Sequence, residues 1–321
     1  MRLLNLNRFK NWFGIYKILY WVFLLLISFG VFSLYINYLN WTEEGISALE
    51  MVYGTAYKPY VFRVLTPLVI RVIISILPYR IETISTIIMF FSLLGFVISF
   101  RYLYTTFWRP SIVLDLISLL SVIGLFPIFA INNKIYDFTS LFLFTLCLSL
   151  LARKKFHLYM IFFGLTSVNK ETAILLILIY FVHYRHRLGM PTFKNLLIYQ
   201  VSVFLIIRLI IALYFRNNPG GMVEFHFMKF FQLMIFRPHF FIMIFILIGI
   251  LVLLLFIRTF REKPLFVQNA AIATVPLMSV LYFLIGYPFE LRFFIEIYSI
   301  FLLIFTQPIS RIIGFKLEET Q

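Results

Sequence analysis

The stretch Val61-Phe62-Arg63-Val64-Leu65-Thr66-Pro67-Leu68-Val69-Ile70-Arg71-Val72-Ile73-Ile74-Ser75-Ile76-Leu77 decides how this chain is laid across a bilayer. It is apolar enough to span, yet it carries Arg63 and Arg71 with Pro67 between them. If it crosses and the N-terminus is inside, Arg153-Lys154-Lys155 falls outside, against the tendency of basic residues to stay cytoplasmic. If it lies along the outer surface as an amphipathic helix, residues 156–168 and 171–184 become a hairpin of two short apolar helices. Of the 28 Lys and Arg, this second layout places 17 inside and 10 outside, with Arg208 inside a span. The surface placement wins.

The remaining sequence offers no soluble alternative. Of 321 residues, 62% are apolar, 20% aromatic and 13% charged, and the mean hydropathy is +0.98. Soluble domains sit near 45–50% apolar and about 25% charged. So few charges cannot cover a water-exposed surface, so lipid must be the main solvent. Apolar runs near 16–39, 81–104, 111–131, 135–152, 196–214, 239–257, 265–286 and 293–308 read as spans. With the hairpin this makes about ten crossings and puts both termini in the cytoplasm. The expected fold class is an all-α polytopic membrane protein with short broken helices. It forms one transmembrane domain over 1–321, with a first outer loop at 40–80 and a second at 215–238. Arg2, Arg8, Lys10 and Lys17 precede a long apolar run without a small-residue cleavage site, so the first segment is expected to stay as an anchor. The formal charge of +15 is assigned to membrane orientation, and nucleic acid is not expected as a partner.

Cys147 is single, so no disulfide framework is available. The five histidines show no metal-ligand spacing; His183 and His186 share a basic stretch that would repel a cation. No metal ligands are assigned and no cofactor is certain, although the outer carboxylates are compatible with a divalent cation.

Charged groups inside hydrocarbon cost roughly 2.5–3.5 kcal/mol each on insertion scales, so each calls for a reason. Asn169-Lys170-Glu171 joins two helices too short to cross fully, so it either lines a water-filled cavity below the surface or balances its own charges at a hairpin tip. Asp137 opens a helix after Asn132-Asn133-Lys134-Ile135-Tyr136 and caps it, serves a site, or both. Arg208 either snorkels outward or binds an anion in the same cavity. Glu290-Leu291-Arg292 opens the last span; Arg292 either neutralises Glu296 four residues on or holds a phosphate through its planar fork. The second outer loop has an Asn217-Asn218-Pro219-Gly220-Gly221 turn followed by Phe225, Phe227, Phe230 and Phe231, which reads as an interfacial helix. In the first outer loop, Glu43 and Glu44 stand together beside aromatic surface. Mutual repulsion and partial burial suit one of them to act as a base; the plain alternative is a solvated acidic loop.

The acidic pair with Gly45 after the first span, then Gly54, Pro59-Tyr60 and the Arg63…Pro67 stretch, resembles the first external loop of GT-C-type glycosyltransferases. These polytopic enzymes take a sugar from a polyprenyl-phosphate carrier on the non-cytoplasmic face. Tyr136-Asp137 and Asn169-Lys170-Glu171-Thr172 look like the corresponding segments of bacterial members. The likeness covers the first 70 or so residues best and 130–185 less fully, and Glu43-Glu44 stands where members often have Asp-Glu or Asp-Asp. The resemblance implies a bacterial cytoplasmic-membrane enzyme that transfers a sugar with inversion to a saccharide, lipid or protein acceptor. Glu44 would be the base because it precedes Gly45, with Glu43 beside it. Arg63, Lys170, Arg208 and Arg292 would face the phosphate, supported by Asp137, Asn169, Glu171 and Glu290. A flippase for a lipid-linked saccharide and a polysaccharide polymerase or ligase are the rival expectations.

Overall fold

Helices follow wherever the sequence is apolar and uninterrupted, because a backbone in lipid must satisfy its own hydrogen bonds. The computed structural model describes residues 3–37, 47–125, 128, 134–236, 260–287, 290–315 and 317–318, and no strand occurs among them. The elements are α1 Leu3–Asn37, α2 Ala48–Tyr53, α3 Leu65–Ile76, α4 Ile81–Tyr104, α5 Ile112–Ile123, α6 Asp137–Ala152, α7 Phe156–Asn169, α8 Ile174–Tyr184, α9 Met190–Tyr214, α10 Phe227–Phe236, α11 Leu265–Ile285 and α12 Tyr298–Ile312. Short 3-10 turns lie at Tyr60–Phe62, Glu171–Ala173 and Leu291–Phe294.

Among the described residues four helices are long and apolar enough to cross a bilayer: Ile18–Asn37 of α1, then α4, α9 and α11. The expected 239–257 span lies outside the described residues, as does part of the expected 111–131 span. The helix within the latter ends at Ile123, where Gly124 caps it. The last helix starts at Tyr298 rather than 293, because residues 291–294 form a tighter 3-10 turn.

The deciding segment 61–77 yields α3, a helix of 12 residues. At 1.5 Å per residue it spans only about 18 Å, too little to cross. Thr66, Pro67 and Ile70 face inward, while Leu68, Val69 and Val72 are exposed. Its first turn is tied to the end of α7, since Thr66 donates to Asn169 Oδ1 at 3.0 Å and Asn169 donates to Ser140 Oγ at 2.8 Å. That buried chain of polar groups links α3, α7 and α6. Helices α4 and α6 pack closely through Gly95, where a Cβ would meet the Phe142 ring at 2.9 Å. Ser92 and Thr139 bridge the same pair at 3.0 Å.

The two segments expected as outer loops clasp each other. Ser47 caps α2 in a reciprocal capping box with Glu50, and Gly54 ends it at φ 73°. Asn218 then donates to Gly54 O and Ala56 O, each at 2.9 Å, and Lys58 N–H donates to Pro219 O at 2.8 Å. Gly220 sits at φ 91° with Lys58 O 2.6 Å from where its Cβ would be, so a side chain there would be both strained and obstructed. The expected interfacial helix is α10: Phe230 is buried against Tyr282 and Phe283 of α11, while Phe227, Met228, Phe231 and Phe236 are exposed.

Candidate functional site

The charged residues that stood out in apolar surroundings are drawn to one place. A cavity of about 540 Å³ is walled by Tyr60 and Arg63 of the 40–80 segment, by Lys170 and Glu171 at the α7–α8 junction, and by Phe204 and Arg208 of α9. Glu224 and His226 of the 215–238 segment, Leu277 and Leu281 of α11, and Glu290 and Arg292 complete it. That volume lies within the roughly 300–1,000 Å³ of small-ligand sites. Its lining mixes charged side chains with apolar ones, a combination suited to an amphiphile.

Pairing in the cavity differs from what spacing along the chain suggests. Glu171 does not balance Lys170. It bridges Arg63 at 3.2 Å and Arg208 at 3.6 Å, whereas Lys170 forms an ion pair with the buried Glu296. The cause is the backbone: Lys170 is extended at φ −155°, ψ 146°, and adjacent side chains in extended chain point to opposite sides. Nor does Arg292 pair with Glu296. It takes Asp137 at 3.3 Å and Glu290 in a close contact. Four-residue pairing needs α-helical geometry, and the chain there is a 3-10 turn.

Asp137 opens α6, and its Oδ2 also accepts from Lys134 N–H at 3.0 Å. It is wholly buried behind the wall, so it positions Arg292 and does not face the cavity. Asn169 likewise lies behind the wall, spent on Thr66 and Ser140, which corrects the expectation that all of Asn169-Lys170-Glu171 lines the hollow. Arg208 does not snorkel: besides Glu171 it donates to Phe62 O at 3.2 Å. Arg63 donates to the Tyr136 hydroxyl and stacks over the Tyr60 and Tyr136 rings at 5.0 and 4.7 Å. Burial alone would raise the Glu290 carboxyl, but the Arg292 guanidinium beside it outweighs this and holds it below its ordinary value.

Glu43 and Glu44 lie outside the described residues. Two wall residues were not expected from sequence as site groups, Glu224 and His226, with Oε2 and Nε2 3.5 Å apart. Their signal was available only as a carboxylate and an imidazole two residues apart in an otherwise aromatic loop. Among the described residues no group of three His, Cys, Asp or Glu could hold a metal ion.

No family model matches the chain, and no curated protein or solved structure matches it either.

Proposed function

We propose that this protein is a membrane glycosyltransferase that moves a sugar from a polyprenyl-phosphate carrier to a hydroxyl-bearing acceptor on the non-cytoplasmic side. In this reading the chain crosses the bilayer about ten times with both termini cytoplasmic, and the cavity opens outward. The observation that carries it is the gathering of Arg63, Lys170, Arg208 and Arg292 around one cavity that apolar side chains also line. A phosphate leaving group develops negative charge as the glycosidic bond breaks, and guanidinium groups fixed around it stabilise that charge without reorganising. Phe204, Leu277 and Leu281 offer the isoprenoid chain an apolar surface next to those cations. The acceptor hydroxyl attacks the anomeric carbon from the face opposite the phosphate, which inverts its configuration, and an outer-side carboxylate takes the proton. The family likeness gives that last role to Glu44, with Glu43 beside it.

Each wall cation already has a carboxylate partner, so the donor phosphate must exchange with an internal ion pair rather than fill an unbalanced charge. Glu171 is the partner most easily displaced, because its side chain is 41% exposed while those of Glu290, Glu296 and Asp137 are 17%, 1% and 0% exposed.

The test is sugar transfer in reconstituted vesicles supplied with polyprenyl-phosphate sugar. Wild type should form labelled product, and Arg208→Gln should lower kcat by about 100-fold, a typical cost of losing one charge-stabilising donor. Labelled donor that crosses between leaflets without covalent change would instead identify a flippase. No transfer by wild type would refute the enzyme reading.

A further inference from the structure

The three carboxylates on the cavity wall are not equivalent. Glu171 is engaged by Arg63 and Arg208, and Glu290 by Arg292, so their lone pairs are directed at guanidinium groups. A carboxylate so engaged is a weak proton acceptor. Glu224 has no Arg or Lys ion-pair partner among the described residues, and its ionic neighbour is His226 at a loose 3.5 Å. It is partly open to the cavity, with 36% of its side chain exposed.

The loop that carries Glu224 is pinned on both sides. Upstream, Pro219 and Asn218 are bonded to the first outer loop. Downstream, His226 N–H donates to Leu284 O at 3.2 Å, and its ring meets the Tyr287 ring edge-on at 5.6 Å. Glu224 is therefore held over the hollow by a short span anchored at 219 and 226. A base must be within reach of the proton it removes, and a fixed loop supplies that more reliably than a free one.

We infer that Glu224 is the group that takes the proton from the acceptor hydroxyl. This assignment rests on the glycosyltransferase reading and moves the base from the first outer loop to the second. The acceptor O–H bond breaks and its proton passes to the Glu224 carboxylate. The acceptor oxygen forms a bond to the anomeric carbon while the C–O bond to the phosphate breaks, and the electron pair leaves with the phosphate. The groups around Glu224 and His226 are Tyr60 from the first loop, Tyr287 with Lys229 stacked over it at 4.5 Å, and Arg63, Glu290 and Arg292 on the cavity wall.

The experiment compares Glu224→Gln, Glu224→Asp and Glu44→Gln with wild type in vesicles carrying polyprenyl-phosphate sugar. Glu224→Gln should lower kcat by about 100-fold or more, the usual contribution of a general base, with KM within a few-fold. Glu224→Asp should recover part of it. Full activity in Glu224→Gln with loss in Glu44→Gln overturns the assignment and leaves the enzyme reading intact. A wild type without transfer overturns both.

Discussion

The ion pair between Asp137 and Arg292 fastens the start of α6 to the segment before α12, and it is the contact most open to quantitative challenge. The side chains are 0% and 6% exposed and 3.3 Å apart. At an effective dielectric constant of 20 that separation corresponds to roughly 5 kcal/mol of attraction, before desolvation is subtracted. Removing one member of a buried pair strands the other and costs about 3–5 kcal/mol. Asp137→Asn should fall at the lower end, about 3 kcal/mol, because Glu290 remains on the guanidinium and the amide oxygen can still accept from Lys134. Arg292→Gln should cost more, since it strands both Asp137 and Glu290. The double variant should cost little more than Arg292→Gln alone. Thermal midpoints in detergent, read by size-exclusion chromatography after heating, supply the cycle, with Asp137→Asn lowered on the order of 5–10 °C. If the two losses add within about 0.5 kcal/mol, the residues act independently and the proposed fastening is wrong.

Gly95→Ala should destabilise by about 1–3 kcal/mol, because its Cβ would stand 2.9 Å from the Phe142 ring; the same midpoint assay reads it, and pairing it with Phe142→Leu should recover most of the loss. Orientation can be read by cysteine labelling in intact cells against a quiet background, since Cys147 is buried: Asn217→Cys should react from outside and Arg261→Cys only after permeabilisation. Position 220 is unsuitable for such a label, given its positive φ and the Lys58 carbonyl beside it. For pH, the folded Glu290 carboxyl lies below its unfolded value, so the stability it adds is present above the unfolded pKa of about 4.3 and lost as pH falls through the folded value. Between pH 7.5 and 5.5 the midpoint difference between wild type and Glu290→Gln should therefore stay constant; a difference that closes over that range would contradict the ion pair.

Sequence exposed which residues are out of place in lipid but not how they combine. Arg63, Lys170, Glu171, Arg208 and Arg292 were visible because charge is costly in apolar surroundings, a local property that needs no fold. Their partners depended on backbone shape. An extended Lys170 sends it away from Glu171, and a 3-10 turn at 291–294 removes the spacing that would have joined Arg292 to Glu296. The surface placement of α3 came from counting basic residues over the whole chain, a long-range sum, and its 12-residue length agrees with that placement. Glu224 and His226 do not stand out in the sequence, because a carboxylate in a loop between spans can reach water and costs nothing by itself. Only the clasp between the two loops brings them over the cavity.

The separation of Asp137 from Arg292 also has a consequence in time. The two are 155 residues apart, and at about 5–20 residues per second a ribosome needs roughly 8–30 s to bridge that interval. Throughout that delay the carboxylate that ends up fully buried must wait without its guanidinium. Until residue 292 is made, the first turn of α6 lacks the contact that fastens it, so the half-made bundle is less stable than the finished one. Substitutions near residue 292 should then appear during biogenesis as premature degradation of chains whose earlier helices are entirely unaltered.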